Sequence, residues 1–346
     1  MPHPPVTESS PFADNKPAML RLVLALAAAL LVAAPAQAQV DIMAPFNQDA
    51  TMDDAAILAK GIAFADGDRK KLDIYGPKDQ TGPAPVVMFI YGGAWSRGDT
   101  RDYQFVGRAF AANGFIAVIP DYRLYPEVTY PGFLEDNAQA VKWIEDNIAS
   151  YGGDTSRFFI AGHSAGAYNS VMLGLEKSFL NDYGVTMPVK AIAAISGPYD
   201  FYPFEYDEVK LVFGQNDNPQ GTQPINLVAP DRPPMLLLSG TADPIVRVQN
   251  TQHFAQKMRD AGDWVTEKYY DGLGHMEPVF AIGAMWRWRA PVLSDIVAFF
   301  TQFGAFPSGA PRQAYVPEPP DGVADIQQTI AGLDAILSPM ESAPAP

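Results

Sequence analysis

Seven short apolar runs recur through the middle of this chain: LDIY at 72–75, PVVMFIY at 85–91, FIAVIP at 115–120, FFIAG at 158–162, AIAAIS at 191–196, MLLLSG at 235–240 and VTEKYY at 265–270. Between them lie segments of helical period. One is expected around 103–112. A second carries Phe133, Ala140, Val141, Ile144 and Ile148 on one face and stops before Gly152 and Gly153. Others are expected directly after Gly166, from about Arg247 to Ala261, and from Val292 to Phe303. Strands that are apolar at every residue must be covered on both faces, and helices interleaved with them supply the cover. The pattern therefore predicts an α/β fold with a mostly parallel sheet and helices on both faces. In such sheets ligands bind beyond the carboxyl ends of the strands, so chemistry is sought there.

The run FFIA ends in Gly162, His163, Ser164, Ala165 and Gly166, with a helical segment immediately after. G-x-S-x-G between strand and helix marks a tight elbow that presents a serine hydroxyl in a strained conformation, the glycines removing side chains that would clash. With no cysteine in the chain, covalent chemistry must fall to another nucleophile, and Ser164 is the one this pattern offers. A serine hydroxyl attacks only if a base takes its proton. Of the four histidines, His3 lies near the start, His163 sits inside the elbow and His253 falls in a helix. His275, in DGLGHMEP just after the final strand, is the expected base. A carboxylate that orients the imidazole should lie between Ser and His in the chain; Asp243, at the end of MLLLSG, meets that demand, with Asp200 and Asp271 as competitors. Donors for a developing oxyanion are expected from the backbone of Ala165 and from the loop of Tyr91, Gly92, Gly93, Ala94 and Trp95.

YGGAW, DYRLYPE, YGGD, GHSAG, SGPYD, GTADP and GLGH follow one another in an order that resembles the α/β-hydrolase superfamily over roughly residues 60–302, above all its secreted-esterase and hormone-sensitive-lipase-like branches, which include arylformamidases. The resemblance implies a serine carboxylesterase with Ser164, Asp243 and His275 as triad, Gly93, Ala94 and Ala165 as oxyanion donors, and no cofactor. An arylformamidase-like amide hydrolase would share every motif. A non-catalytic binding protein on the same fold would be betrayed by a missing triad member. Two positions depart from the usual pattern: Tyr91 stands where many relatives have His, and Ala94 or Trp95 shortens the glycine run. Residues 199–230 interrupt the alternation and are expected to form a short cap, with Tyr199, Phe201 and Tyr202, together with Tyr91 and Trp95, lining a substrate pocket. So short a cap favours small soluble esters. Asp121 and Arg123 are expected to pair with each other.

Arg21, the apolar run 22–34 and the small residues Ala36 and Ala38 form a secretory leader pattern with cleavage after Ala38, read from either Met1 or Met19. A secreted or periplasmic location follows, with no stable membrane anchor. The segments 1–38 and 305–346 hold 14 of the 32 prolines, which places the catalytic domain at 39–304. In the Pro-rich tail, Val323, Ile326, Ile330, Leu333 and Ile336 share one helical face. A formal charge of −15 repels nucleic acid and anionic lipid alike. No metal-binding cluster stands out, and the expected partner is a small-molecule ester.

Overall fold

The computed structural model describes Asn47 and residues 49–306. The leader with its site after Ala38 and the apolar stripe of the tail lie outside the described residues. Eight strands make one sheet: β1 (Ala55–Ala63), β2 (Lys71–Pro77), β3 (Ala84–Ile90), β4 (Ile116–Pro120), β5 (Gly153–His163), β6 (Val189–Ile195), β7 (Met235–Gly240) and β8 (Val265–Tyr270). Their order is β1-β2-β4-β3-β5-β6-β7-β8. The pairs β1–β2 and β2–β4 are antiparallel and all others parallel. This is the α/β-hydrolase fold that the sequence predicts.

All seven apolar runs lie in strands. Val86 to Ile90 of β3 and Ile116 to Ile119 of β4 are wholly buried, each such side chain contributing about 1.5–3 kcal/mol relative to exposure. The helices that cover the sheet are α1 (Gln104–Ala112), α2 (Gly132–Asn147), α3 (Ala165–Leu175), α5 (Gln249–Asp260) and α6 (Val292–Gln302), while α4 (Asp207–Phe213) lies in the 199–230 segment. Helix α3 is buried at every position, as a helix lying directly against a central strand must be.

The eighth strand, β1, has no counterpart in the sequence reading. Its stretch AAILAKGIA pairs with β2 through two register shifts, between Ile57 and Ala59 and between Ala59 and Ile62. Such irregularities erase the two-residue period, and an edge position leaves half its residues exposed. Asp121 and Arg123 also do not pair with each other. Asp121 binds Arg69, which enters from the β1–β2 connection at 2.8 Å, while Arg123 grips Asp136 of α2 through its Nε and Nη2.

Candidate active site

Ser164 caps α3 with φ 54° and ψ −120°, a conformation that an L-residue adopts only under constraint. Its backbone N–H donates to Ile195 O at 2.8 Å, fixing the elbow to the neighbouring β6. The two glycines of the motif are required by close approach: a Cβ on Gly162 would stand 2.3 Å from Gly166 O, and one on Gly166 would stand 2.0 Å from Ile90 O. Neither backbone atom can give way.

His275 lies in the loop after β8, 4 % exposed. Its Nε2 is 2.8 Å from Ser164 Oγ and its Nδ1 is 2.8 Å from Asp243 Oδ2. An ionised carboxylate only accepts, so Nδ1 carries the proton and Nε2 is left to accept from the serine hydroxyl. Asp243 is itself held in place, because its Oδ1 accepts from the N–H groups of Ile245 and Val246, both at 2.9 Å. The loops bearing Asp243 and His275 are sewn together by Ala242 N–H donating to Leu273 O at 3.0 Å. The competing carboxylates have other partners. Asp200 meets His253 at 3.3 Å on the surface, and Asp271 accepts from Thr241 Oγ1 at 3.2 Å in the turn.

The loop after β3 lies against the elbow, since a Cβ on Gly92 would be 2.9 Å from Ser164 Cβ and 2.8 Å from His163 O. Gly93, Ala94 and Trp95 have φ of 131°, 49° and 57° in succession. Two non-glycine residues in the left-handed region cost about 1–2 kcal/mol each. Side-chain contacts hold the turn. The Trp95 indole, 3 % exposed, packs edge-on against Tyr168 and Phe213 with centroids at 5.2 and 4.7 Å. Tyr91 is wedged between Tyr103 and Tyr122, and its hydroxyl donates to Asp121. Arg69 completes that support by donating to Asp121, to Gly98 O at 2.6 Å and to Tyr122 O at 2.9 Å. Burial outweighs these partners and pushes the Asp121 carboxyl up to about 6. From the cap, Glu208 binds Ser96 Oγ and sits 3.6 Å from Arg97 Nη1.

The expected pocket aromatics separate. Tyr91 and Tyr199 have no exposed surface, so neither lines an open pocket: Tyr91 faces Asp121, and Tyr199 stacks on Phe254 of α5 at 4.7 Å. Phe201 is half-buried against Trp95 and Phe213, and Tyr202 is exposed. Aromatic clustering in the sequence could not separate core-facing rings from cap-facing ones.

Sequence reasoning also missed the supports of the histidine loop. Glu277 accepts from Gly274 N–H at 2.7 Å and from Arg289 at 2.6 Å, so it braces the turn that presents His275. Its place two residues after the histidine was the available signal. His163 is fully buried and neutral; desolvation, reinforced by the neighbouring His275, pushes it down to about 3. Its Nε2 lies 3.0 Å from His275 O and donates to it, adding a second tie to the same loop.

Ser164, His275 and Asp243, the three residues expected as a triad, thus stand hydrogen-bonded in series at the carboxyl ends of β5, β7 and β8. The BD-FAE family profile matches residues 72–258, more than half of the chain. The chain belongs to the BD-FAE family. The match contains Ser164 and Asp243 and ends before His275. A probable isoprenylcysteine alpha-carbonyl methylesterase ICME of Oryza sativa subsp. japonica is 26% identical over 260 residues, spanning 69% of this chain and 63% of that protein. Esterase LipC of Mycobacterium tuberculosis (strain ATCC 25618 / H37Rv) is 30% identical, spanning 57% of this chain and 54% of its own length. The BD-FAE chain therefore covers between about half and two thirds of these curated relatives. Among solved structures, a truncated form of a carbohydrate esterase from gut microbiota shares the fold with TM-score 0.63 at 22% identity, covering 72% of this chain and 97% of that one. The apo form of Thermogutta terrifontis esterase 2 does so with TM-score 0.62 at 21% identity, over 73% and 96%.

Proposed function

We propose that this protein is a serine hydrolase of carboxylic esters. The observation that carries the reading is the chain of two 2.8 Å hydrogen bonds from Ser164 through His275 to Asp243, built on an elbow whose serine has φ 54°. As Ser164 Oγ attacks the ester carbonyl, its proton passes to His275 Nε2. Asp243 holds the imidazole by Nδ1–H and stabilises the imidazolium. The carbonyl oxygen becomes negative and takes hydrogen bonds from the backbone N–H groups of Ala165, Gly93 and Ala94. Ala165 opens α3, so its N–H has no acceptor within the helix and is free for this use. The tetrahedral adduct collapses, His275 gives its proton to the leaving alcohol, and water repeats the sequence on the acyl-enzyme to release the acid.

The names of the esterase relatives support the ester as the bond cleaved. The aromatic packing of Trp95, Phe201, Phe204 and Phe213 between oxyanion turn and cap supports a compact acyl site and hence short acyl or small aryl esters. The leader pattern supports export, with the mature chain beginning at Gln39.

A fluorophosphonate probe should label Ser164, and purified protein should hydrolyse p-nitrophenyl acetate and butyrate faster than the palmitate. N-Formylkynurenine belongs in the same panel. Turnover of that amide ahead of every ester would replace the reading with formamide hydrolysis, and labelling that persists in Ser164→Ala would remove Ser164 from it.

A further inference from the structure

We propose that Asn169, backed by Asn137, is a positioning residue for the oxyanion donors and acts on them through the indole of Trp95. The inference rests on the serine-hydrolase reading of the site. The Trp95 Nε1–H donates to Asn169 Oδ1 at 2.9 Å, and Asn169 Nδ2 donates to Asn137 Oδ1 at 2.9 Å. All three side chains are buried, the two asparagines completely. An indole nitrogen can only donate, so it dictates that Asn169 presents its oxygen; the amide of Asn169 must then donate onward, which dictates the orientation of Asn137. The relay ends in Asn137 Nδ2, a buried donor with no acceptor among the described residues. Folded proteins rarely bury an orphan amide donor. Here it terminates a chain whose other end fixes the strained turn.

The relay joins the two halves of the oxyanion site. Ala165 and Asn169 stand one turn apart on α3, while Ala94 and Trp95 are consecutive in the left-handed turn after β3. One buried hydrogen bond therefore sets the loop that carries the Gly93 and Ala94 donors against the helix that carries the Ala165 donor. Aromatic packing alone leaves a ring free to slide in its own plane; the hydrogen bond fixes that coordinate. Displacing preorganised donors by a fraction of an ångström weakens the transition state far more than the bound substrate. The expected signature is a loss in kcat with KM preserved.

The test uses the full-length protein and three variants: Trp95→Phe, which keeps a ring and removes the donor, Asn169→Leu, which removes the acceptor, and the two combined. Each is measured for p-nitrophenyl butyrate kinetics, for inhibition by phenylboronic acid, whose tetrahedral adduct reads the oxyanion donors, and for Tm. Each single variant should lose about tenfold in kcat with KM within about twofold, and phenylboronic acid should weaken by the same factor. The double variant should lose little more than the worse single, because both remove one interaction. Should Asn169→Leu fail to fold, Trp95→Phe still carries the comparison. A lowered Tm with kcat and boronate inhibition unchanged would mean a purely structural relay and would overturn the proposal, as would additive losses in the double variant. A wild-type protein inert to fluorophosphonate overturns the serine-hydrolase reading and this inference with it; a reactive wild type matched by all three variants overturns this inference alone.

Discussion

The elbow at Ser164 and the turn proposed to supply the oxyanion donors lie in contact, and both hold non-glycine residues at positive φ, yet they are built by opposite means. The elbow is local. Five consecutive residues form it, and its strain is imposed by backbone neighbours that a Cβ on Gly162 or Gly166 would strike. The oxyanion turn is assembled from afar. Arg69, Asp121, Tyr122, Asn169 and Glu208, drawn from four separate stretches of chain, hold Tyr91 to Gly98 in place. A short motif is thus enough to place Ser164, whereas the turn from Tyr91 to Gly98 depends on side chains brought from distant parts of the chain.

If that contrast is sound, elbow substitutions act on chemistry at once. Ser164→Ala and His275→Ala should each lower kcat by roughly 10⁴- to 10⁶-fold, with the double variant little worse, since the pair acts as a unit; steady-state kinetics on folded protein check this. Asp243→Asn should cost about 10⁴-fold or less by releasing the imidazole. On the oxyanion side the damage should fall on stability as well. Arg69→Met strips Asp121 of its cationic partner and should lower unfolding free energy by about 2–4 kcal/mol in urea titrations, a figure reduced by the partial exposure of Arg69.

The pH dependence of stability should also separate the two regions, with opposite signs. His163, under the elbow, has its ordinary value near 6.5 lowered to about 3, so the unfolded chain binds a proton that the native state refuses. Stability should fall as pH drops from about 6.5 toward 3, and His163→Gln should flatten that limb. Asp121, beneath the oxyanion turn, is raised from 3.8 to about 6, so its contribution is complete below pH 4 and lost as pH climbs through 6. Asp121→Asn should remove that second slope. Tm measured across pH 3–8 for both variants tests each sign, with effects on the order of 1 kcal/mol per pH unit.

A smaller effect sharpens the comparison. Ala94→Gly relieves a left-handed residue and should stabilise by about 0.5–1 kcal/mol. His253→Ala, on the surface pair with Asp200, should change turnover by less than twofold and stability by less than about 0.5 kcal/mol. A large loss from His253→Ala would point the triad elsewhere.

What the sequence determined by itself follows from short-range physics. Short runs rich in apolar and β-branched residues, bounded by turns and alternating with helical periods, made β2 to β8 legible, and a glycine-flanked serine between strand and helix marked the elbow. Chain order then singled out His275 and Asp243, and the structure brings both to Ser164. Only tertiary structure decided the rest. Edge strand β1 has a broken period, so no local pattern announces it. Whether Tyr91 and Tyr199 face a pocket or the core is set by the layers packed around them, and Asp121 takes Arg69 from 52 residues away instead of Arg123 two residues on. Asn137, Asn169 and Trp95 form a relay across 74 residues of sequence. Such contacts join side chains whose separation along the chain carries no information about their separation in space, because burial, which links them, is a property of the assembled sheet and helices.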